Sequence, residues 1–206
     1  MILLENIKRL AEKATGWRRP DDPQAFVRAR KPQTYFFKDD GVIPNHPRWP
    51  LIIYKNALRL PEPLEPAAVF EELFGGHGWG GSWRDGVYDY VHYHSRIHEV
   101  LGVARGSCRV RFGGDSGRAL TLKAGDVAIL PAGTGHQGLK ASGDFLVVGA
   151  YPASGAYDEC KSREDREKAL PAIDRVARPR QDPVYGKDGP LMHIWAPRSP
   201  RQSQRG

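Results

Sequence analysis

The sequence contains only two cysteines, Cys108 and Cys160, among its 206 residues. Two distant cysteines do not make a disulfide framework, and we expect both thiols to stay reduced in a cytoplasmic protein. Long apolar runs are also missing, since no stretch approaches the roughly 20 residues that a membrane-spanning helix requires. These two absences exclude a disulfide-stapled secreted scaffold and a protein that crosses a membrane by apolar helices.

The net charge of +7 is concentrated near the C-terminal end. Over residues 175–206, seven arginines and lysines stand against two aspartates, which accounts for +5 of the total. A basic, proline-rich end is typical of a solvated tail, and without an accompanying aromatic pattern it does not indicate nucleic-acid binding. At the other end, apolar residues at helical spacing predict a helix over 1–15 that lacks the cleavage pattern of a signal peptide.

Glycine (23) and proline (17) are abundant, a balance that many turns between short strands produce. We interpret the glycine-rich run 75–81 as a flexible approach to the sheets, and we predict helices near 69–74 and over 157–170, the second ended by Pro171. The sequence therefore predicts an all-β sandwich or barrel, with strands at Gln33–Phe37, Leu51–Leu58, Tyr88–His94, Glu99–Ala104, Ser107–Phe112, Ala119–Leu122, Val127–Leu130 and Phe145–Tyr151.

Two histidines stand two residues apart in one predicted strand. Because alternate side chains of a strand share a face, His92 and His94 point the same way and can share one ion. Tyr88 and Tyr90 fall on that face too if the strand is regular. Glu99 opens the next strand and can return a carboxylate to the same point, which predicts the beginning of a metal site.

A third histidine follows a glycine-rich turn. The sequence Pro131–Gly135 predicts a tight turn, and His136 leaves it directly as the natural fourth ligand from a neighbouring strand. Lys140 shares the parity of His136 on an extended strand, so it is a candidate for the mouth of the pocket. A solvated lysine at a strand end is the alternative.

These residues resemble the two cupin motifs. The first motif is matched by Gly86, His92-x-His94, Glu99 and Gly106, and the second by Gly125, Pro131-x-Gly133 and His136, at the family spacings. Lys140 departs from the pattern, which usually has asparagine there. Wider stretches, among them residues 33–47, 78–83 and 182–195, look like the YjlB-like branch of cupins, a branch that supplies a fold and a metal site but no substrate.

The resemblance implies a single cupin jelly-roll β-barrel of the RmlC-like type, with short helical or irregular extensions at both ends. The expected divisions are an N-terminal helix and connector over 1–32, the barrel over 33–156, and a C-terminal helix with the basic tail over 157–206, packed on the barrel or trailing from it. Cupins of this kind hold one octahedral divalent metal with two positions left for water, substrate or O₂, and they commonly form homodimers.

The donor atoms of these ligands limit which metal ions the site can bind. Three imidazoles and one carboxylate suit Mn, Fe, Co, Ni or Zn, and they do not suit Mg or Ca. His98 adjoins Glu99 and points the other way on a regular strand, so it is either an outer residue that supports the site or, if the strand begins with a bulge, an alternative ligand.

Three functions remain open from the sequence, which offers no residue that stands out as a catalytic acid or base. The leading hypothesis is a metal-dependent enzyme of oxidase or dioxygenase type acting on a small acidic or polar metabolite, with Tyr88, Tyr90, Lys140 and Tyr151 as candidates for the pocket wall. A metal-dependent isomerase or lyase is close behind. The third is a sensor that binds a small anionic molecule without turnover.

Overall fold

The structure is a computed structural model that describes residues 20–197. The helix predicted over 1–15 and the last part of the basic tail, 198–206, lie outside the described residues. Two antiparallel sheets dominate the part that is described. Their strands are β1 (Gln33–Tyr35), β2 (Leu51–Tyr54), β3 (Trp79–Asp85), β4 (Glu99–Arg105), β5 (Ser107–Phe112), β6 (Arg118–Lys123), β7 (Val127–Leu130), β8 (His136–Ala141) and β9 (Leu146–Pro152).

The larger sheet has the strand order β1-β2-β7-β4-β9-β3, and the smaller sheet has the order β6-β5-β8. All pairings are antiparallel, and most neighbours in the larger sheet are distant in sequence, such as β2 beside β7 and β4 beside β9. Long connections of this kind between two facing sheets are those of a jelly roll. The predicted all-β fold is therefore confirmed.

Period-two alternation builds two apolar layers from the larger sheet. In β2, Leu51 and Ile53 pack into the layer between the two sheets, whereas Ile52 and Tyr54 belong to the layer on the opposite face. The smaller sheet closes the inner layer only, because the outward residues of β5 are polar: Ser107, Arg109 and Arg111. The inner layer, between the two sheets, borders a cavity, because Leu101 and Trp83 belong to both.

Helix α1 (Pro66–Gly76) covers the outer face of the larger sheet. It begins after Glu65, whose carboxylate accepts hydrogen bonds from the backbone amides of Ala67 and Ala68 at 3.2 and 2.8 Å. This cap satisfies amides that the start of a helix otherwise leaves unpaired. The helix is longer at both ends than the predicted 69–74 segment. Between residues 20 and 197, no helix is both long and apolar enough to cross a membrane.

The charged helix α2 (Arg163–Ile173) differs from the prediction at both ends. It starts later because Ser162 and Asp165 form a capping box, in which each side chain accepts from the other's backbone amide. It also continues through Pro171, so the predicted end at that residue is wrong. The proline lies in the last turn, where few hydrogen bonds remain to be lost. A short helix, α3 (Pro190–Ile194), follows near the end of the described chain.

Two strand predictions around the site are also wrong. Residues Tyr88–His94 do not form a regular strand, and only His92 and Tyr93 make isolated bridges. Conversely, the glycine-rich run 75–81, interpreted above as a flexible approach to the sheets, ends in the seven-residue strand β3, which pairs with β9. Glycine and serine at positions 80–82 left it without a strand pattern, and a bulge between Gly80 and Trp83 places Trp79 and Trp83 on opposite faces of the sheet. The other predicted strands are present, some with shifted ends.

Candidate metal centre

Three histidines converge in the interior of the molecule. Metal-binding ring nitrogens of His92, His94 and His136 all lie within 4.8 Å of one another, and the three side chains are buried. Glu99, also buried, joins them: its Oε2 lies 3.3 Å from Nε2 of His136 and 3.5 Å from Nε2 of His94. The structure thus brings together the four side chains that the sequence nominated as ligands.

Backbone pairing holds these histidines in place. His92 and His136 form an isolated antiparallel bridge in which each amide donates to the other's carbonyl, at 3.2 and 2.9 Å. Residues directly opposite in such a pair point to the same side, and the two ring centroids are 4.0 Å apart. The amide of Gly133 donates to the carbonyl of His94 at 2.7 Å, which ties the turn before His136 to the same segment.

Backbone carbonyls fix the tautomer of each ring. Nδ1 of His94 lies 2.5 Å from the carbonyl oxygen of Asp158, and Nδ1 of His92 and of His136 lie 3.4 Å from the carbonyls of Tyr90 and Thr134. A carbonyl can only accept, so Nδ1 carries the hydrogen in the neutral rings. The lone pairs on Nε2 are then free to face the centre, as metal-ligating histidines require.

Glu99 supplies the test of whether these residues fit a cation. Its Oε2 is buried and has no hydrogen-bond partner of acceptable geometry among residues 20–197. A buried carboxylate oxygen without a partner is costly, and a divalent ion between it and three imidazole nitrogens removes that cost. Because the donor set is three nitrogens and one carboxylate, the group fits a borderline transition metal.

The pKa directions agree with a site in which the histidines are neutral and the carboxylate is ionised. Burial, together with the neighbouring His92, lowers the pKa of His136 to about 3, and burial also lowers the pKa of His92. For Glu99, burial works to raise the pKa, but the surrounding histidines outweigh it and hold the pKa below its usual value. For His94, burial works to lower the pKa, but the charge of Glu99, its hydrogen bonding and the carbonyl of Asp158 together outweigh burial and raise the pKa. The His94–Glu99 pair is therefore the point where a proton competes with a metal ion.

His98 is not positioned as an alternative ligand. It is fully buried on the opposite side of the chain from Glu99, its Nδ1 accepts from the amide of Ala132 at 2.9 Å, and its Nε2 faces the carbonyl of Ala177 at 3.2 Å. Both ring nitrogens are thus engaged, and no bulge turns the residue toward the centre. Since Ala132 belongs to the turn that precedes His136, His98 supports the turn from behind.

Comparison with known proteins identifies the family. No protein-family model matches the chain. The chain is 45% identical over 167 residues to the uncharacterized protein YjlB of Bacillus subtilis (strain 168), which covers 81% of this chain and 98% of YjlB. The chain is a YjlB-type cupin. This confirms the family that the two histidine motifs indicated.

Solved structures similar to this YjlB-type cupin are remote. An uncharacterized conserved protein with a double-stranded beta-helix domain from Klebsiella pneumoniae is 15% identical over 70% of this chain and 92% of its own, with a TM-score of 0.33. Acireductone dioxygenase from Bacillus anthracis, solved with a cadmium ion in its active centre, is 18% identical over 43% of this chain and 62% of its own, with a TM-score of 0.31.

A cavity of about 360 Å³ opens onto the four side chains in this YjlB-type cupin. Of the tyrosines predicted for its wall, Tyr88 and Tyr151 line it. Tyr90 does not: its ring stacks on that of Tyr88 with centroids 4.9 Å apart, and its hydroxyl lies 3.3 Å from Oε1 of Glu159. The irregular backbone at 88–94 explains the difference, because the predicted parity of Tyr88 and Tyr90 required a regular strand.

Lys140 is the clearest correction in the site of this cupin. It is exposed on the outer face of the smaller sheet, away from the cavity, and lies opposite Arg109 in the pairing of β8 with β5. The pairing of β5 with β8 skips Leu139, since Val110 faces Gly138 and Arg109 faces Lys140. This bulge reverses the parity after His136 and turns the lysine outward.

The sequence did not indicate two aromatic residues that line the cavity. Trp83 lines the cavity and donates from Nε1 to the hydroxyl oxygen of Tyr151 at 2.9 Å. Tyr157, which the sequence placed in the C-terminal extension, lines the cavity with its ring centroid 4.9 Å from that of His94. The sequence carried no signal for either residue: a bulge between Gly80 and Trp83 breaks the parity that would relate Trp83 to Trp79, and no pattern marked Tyr157.

Proposed function

We propose that this YjlB-type cupin is a metal-dependent enzyme of oxidase or dioxygenase type, with His92, His94, Glu99 and His136 as ligands of one divalent ion. The observation that carries the proposal is the convergence of three buried imidazoles on a buried carboxylate oxygen that has no hydrogen-bond partner among the described residues. The donor set favours Mn, Fe, Co, Ni or Zn. Such an ion supplies Lewis acidity, and with iron or manganese it also supplies an O₂-binding centre.

The chain's own residues favour orienting a ligand over exchanging protons with it. Glu99 is held among the histidines and is not free to act as a general base. Burial raises the pKa of Tyr151 well above its usual value, and burial together with Glu159 raises the pKa of Tyr157 to about 12. Both hydroxyls therefore keep their protons at neutral pH and act as hydrogen-bond donors to a bound oxyanion. This is the observation that favours oxidation over hydrolysis.

A second candidate is a metal-dependent isomerase or lyase. The observation that favours it is the position of Asp85, which lines the cavity. Its Oδ1 accepts a hydrogen bond from the amide of Gly86 at 2.7 Å. Isomerisation through an enolate needs a base near the substrate, and an exposed carboxylate at the rim can take that role. Oxidation does not need it.

The metal assignment is tested by elemental analysis of protein purified without a nickel column. The unmodified protein is expected to hold one equivalent of a transition metal, and both His94→Ala and His136→Ala are expected to lose it. His193→Ala is the matched control, because this histidine is exposed on α3 and far from the four side chains in the fold. Full occupancy in both site variants would refute the assignment.

The reaction class is tested separately with protein loaded with iron or manganese. Oxygen-electrode traces against a panel of small acids, diketones and phenols are expected to show uptake. Product formed under nitrogen without oxygen uptake would instead support the isomerase or lyase, with Asp85→Asn expected to abolish it. Binding without product in either atmosphere would support the sensor. Homodimer formation and a cytoplasmic location remain predictions, the first checked by light scattering after gel filtration.

A further inference from the structure

We propose that the ligand of this site is a small aromatic chelator that carries at most one negative charge. The inference rests on the metal-dependent function proposed above and narrows its substrate. It comes from the charges and the aromatic rings that surround the cavity, and it replaces the broader expectation of an acidic or polar metabolite.

Residues 20–197 offer this cavity no free cationic side chain that could bind a polyanion. Among the described residues that line it, Arg84 is the one arginine or lysine. Its guanidinium is fully engaged: Nε and one terminal nitrogen donate to Glu71 at 2.7 Å each, and the other terminal nitrogen lies 2.9 Å from Glu65. The fork geometry that would recognise a second carboxylate or a phosphate is therefore already occupied.

Two further lysines, Lys140 and Lys161, also make their contacts outside the cavity. Lys140 lies on the outer face of the smaller sheet, and Lys161 pairs with Glu159 at 2.8 Å while covering the ring of Tyr90. Meanwhile Glu99 and Asp85 contribute two negative charges to the cavity wall. A divalent ion would be neutralised by these two carboxylates, which leaves little attraction for a ligand with more than one negative charge.

Aromatic rings occupy much of the remaining wall. Trp83, Tyr88, Tyr151 and Tyr157 all line the cavity, and the rings of Tyr151 and Tyr157 meet edge to face with centroids 5.8 Å apart. The indole N–H of Trp83 is used by the hydroxyl oxygen of Tyr151, so Trp83 presents ring surface to a ligand, while the hydroxyl hydrogen of Tyr151 stays free to donate. Leu101 adds an apolar side chain next to Glu99. Such a wall favours a flat aromatic body through edge-to-face and stacked contacts.

The size of the cavity sets an upper limit on this ligand. Its volume of about 360 Å³ lies near the low end of the range for ligand pockets, about 300–1,000 Å³. One aromatic ring with its chelating group fits this space, whereas a nucleotide sugar does not. The ligand class is therefore a single-ring aromatic compound with two adjacent oxygen donors, such as an aryl α-hydroxy acid or an ortho-hydroxyphenol.

Three α-hydroxy acids form a matched set for the test, because they share one chelating group. Mandelate carries a phenyl substituent, lactate carries a methyl group, and tartronate carries a second carboxylate. Zinc is titrated first by calorimetry, and each acid is then titrated into the zinc-loaded protein. Mandelate is expected to bind about tenfold more tightly than lactate and tartronate, the scale that one or two aromatic contacts provide.

Two pairs of variants separate the aromatic contribution from the charge contribution. Tyr157→Leu removes a half-exposed ring from the wall and is expected to remove at least two thirds of the mandelate advantage, whereas Phe36→Leu, an exposed aromatic outside the cavity, leaves it unchanged. Asp85→Asn removes one of the two carboxylates from the cavity wall and is expected to strengthen tartronate binding about threefold. Its control is Asp115→Asn, which removes a carboxylate outside the cavity.

The outcomes distinguish this inference from the function on which it rests. Stoichiometric zinc binding with mandelate preferred supports both. Stoichiometric zinc binding with tartronate bound as tightly as mandelate, or with lactate equal to mandelate, overturns the aromatic ligand and leaves the metal site intact. Failure of zinc to bind overturns the proposed function and, with it, the chelated ligand.

Discussion

At the scale of single residues, the charge of Glu99 is the feature with the largest consequence. Its buried oxygen has no hydrogen-bond partner in the described chain, so bound metal should stabilise the fold. We expect zinc at about one hundred times its dissociation constant to raise the melting temperature by roughly 5–10 °C, the shift that ligand binding of this strength produces in a chain of this length. EDTA should reverse the shift.

Glu99→Gln keeps the shape of the side chain and removes its charge, so most of the zinc-dependent shift should be lost. Glu167→Gln is the matched control, because this glutamate is exposed on α2. Differential scanning fluorimetry with and without zinc measures both. An unchanged zinc shift in Glu99→Gln would contradict the ligand assignment.

His46 is a second residue whose protonation should affect the whole fold. It is buried, its Nδ1 accepts from the amides of Arg48 and Trp49 at 3.2 and 2.9 Å, and its ring stacks on that of Trp49. Burial and the charge of Arg48 lower its pKa from 6.5 to about 4. As the pH falls below 6.5, the unfolded chain takes up this proton before the folded chain does, so stability is lost until about pH 4.

Between pH 7 and pH 5 this residue should reduce the free energy of unfolding by about 2 kcal/mol. Asparagine can accept the same backbone hydrogen bonds without titrating, so His46→Asn should lose about 2 kcal/mol less across that interval, whatever its stability at pH 7. Urea unfolding in EDTA at the two pH values gives the comparison. Equal losses in the two proteins would show that His46 does not control the acid response.

At the scale of elements, β3 and β9 form the aromatic wall through one cross-strand pair. Trp83 lies opposite Gly149, and a Cβ at position 149 would overlap the indole ring. Gly149→Ala should therefore displace Trp83, disturb its hydrogen bond to Tyr151, and cost about 1–3 kcal/mol of stability, as overpacking does. Gly143→Ala is the control, because nothing lies within 4 Å of a Cβ there. Tryptophan fluorescence and urea unfolding should change in the first variant and not in the second.

The same elements show how far the sequence could predict the site. His92, His94 and Glu99 come together as predicted even though residues 88–94 are not a regular strand, because the two histidines and the turn before His136 are linked by backbone hydrogen bonds. Motif spacing carried that information. Strand parity alone did not carry that information. It placed Tyr90 in the cavity wall, whereas the ring of Tyr90 lies outside that wall.

Lys140 and Trp83 were not predictable for two different physical reasons. A bulge changes the facing of every later residue in a strand, and the bulge at Leu139 leaves no signature in the sequence that separates it from a regular strand. Trp83 was obscured because glycine and serine fill the positions between it and Trp79, so the strand lacks the apolar and β-branched residues that usually mark one.

At the scale of the whole molecule, the segment after α2 is part of the core. Asp182 is fully buried: one carboxylate oxygen accepts from the amides of Val184 and Tyr185, and the other accepts from the amide of Leu191 at 3.1 Å and the hydroxyl of Tyr54 at 2.5 Å. This carboxylate joins strand β2 to the chain around α3. The predicted division of the chain at residue 156 remains a prediction, and independent folding of 33–156 is not expected.

Asp182→Ala should therefore lower the free energy of unfolding by about 3 kcal/mol or more, because it leaves several buried donors without an acceptor. Asp188→Ala, in the same segment but exposed, should have little effect. Urea unfolding of the two variants, followed by circular dichroism, is the measurement. A loss below 1 kcal/mol in Asp182→Ala would show that the segment contributes little to the fold.

The short stretch that carries Tyr157 has a consequence for how such a site can change over evolutionary time. Asp158 accepts hydrogen bonds from the amides of Ser95 and Arg96 through its carboxylate and from His94 through its carbonyl, and Cys160 pairs with Tyr93. The backbone beside Tyr157 is thus fastened to the metal-ligand segment, while the tyrosine side chain itself is half-exposed. If the proposed metal site is correct, a lineage of these proteins can exchange that one side chain, and with it the ligand that fits the cavity, without rebuilding the four-residue site.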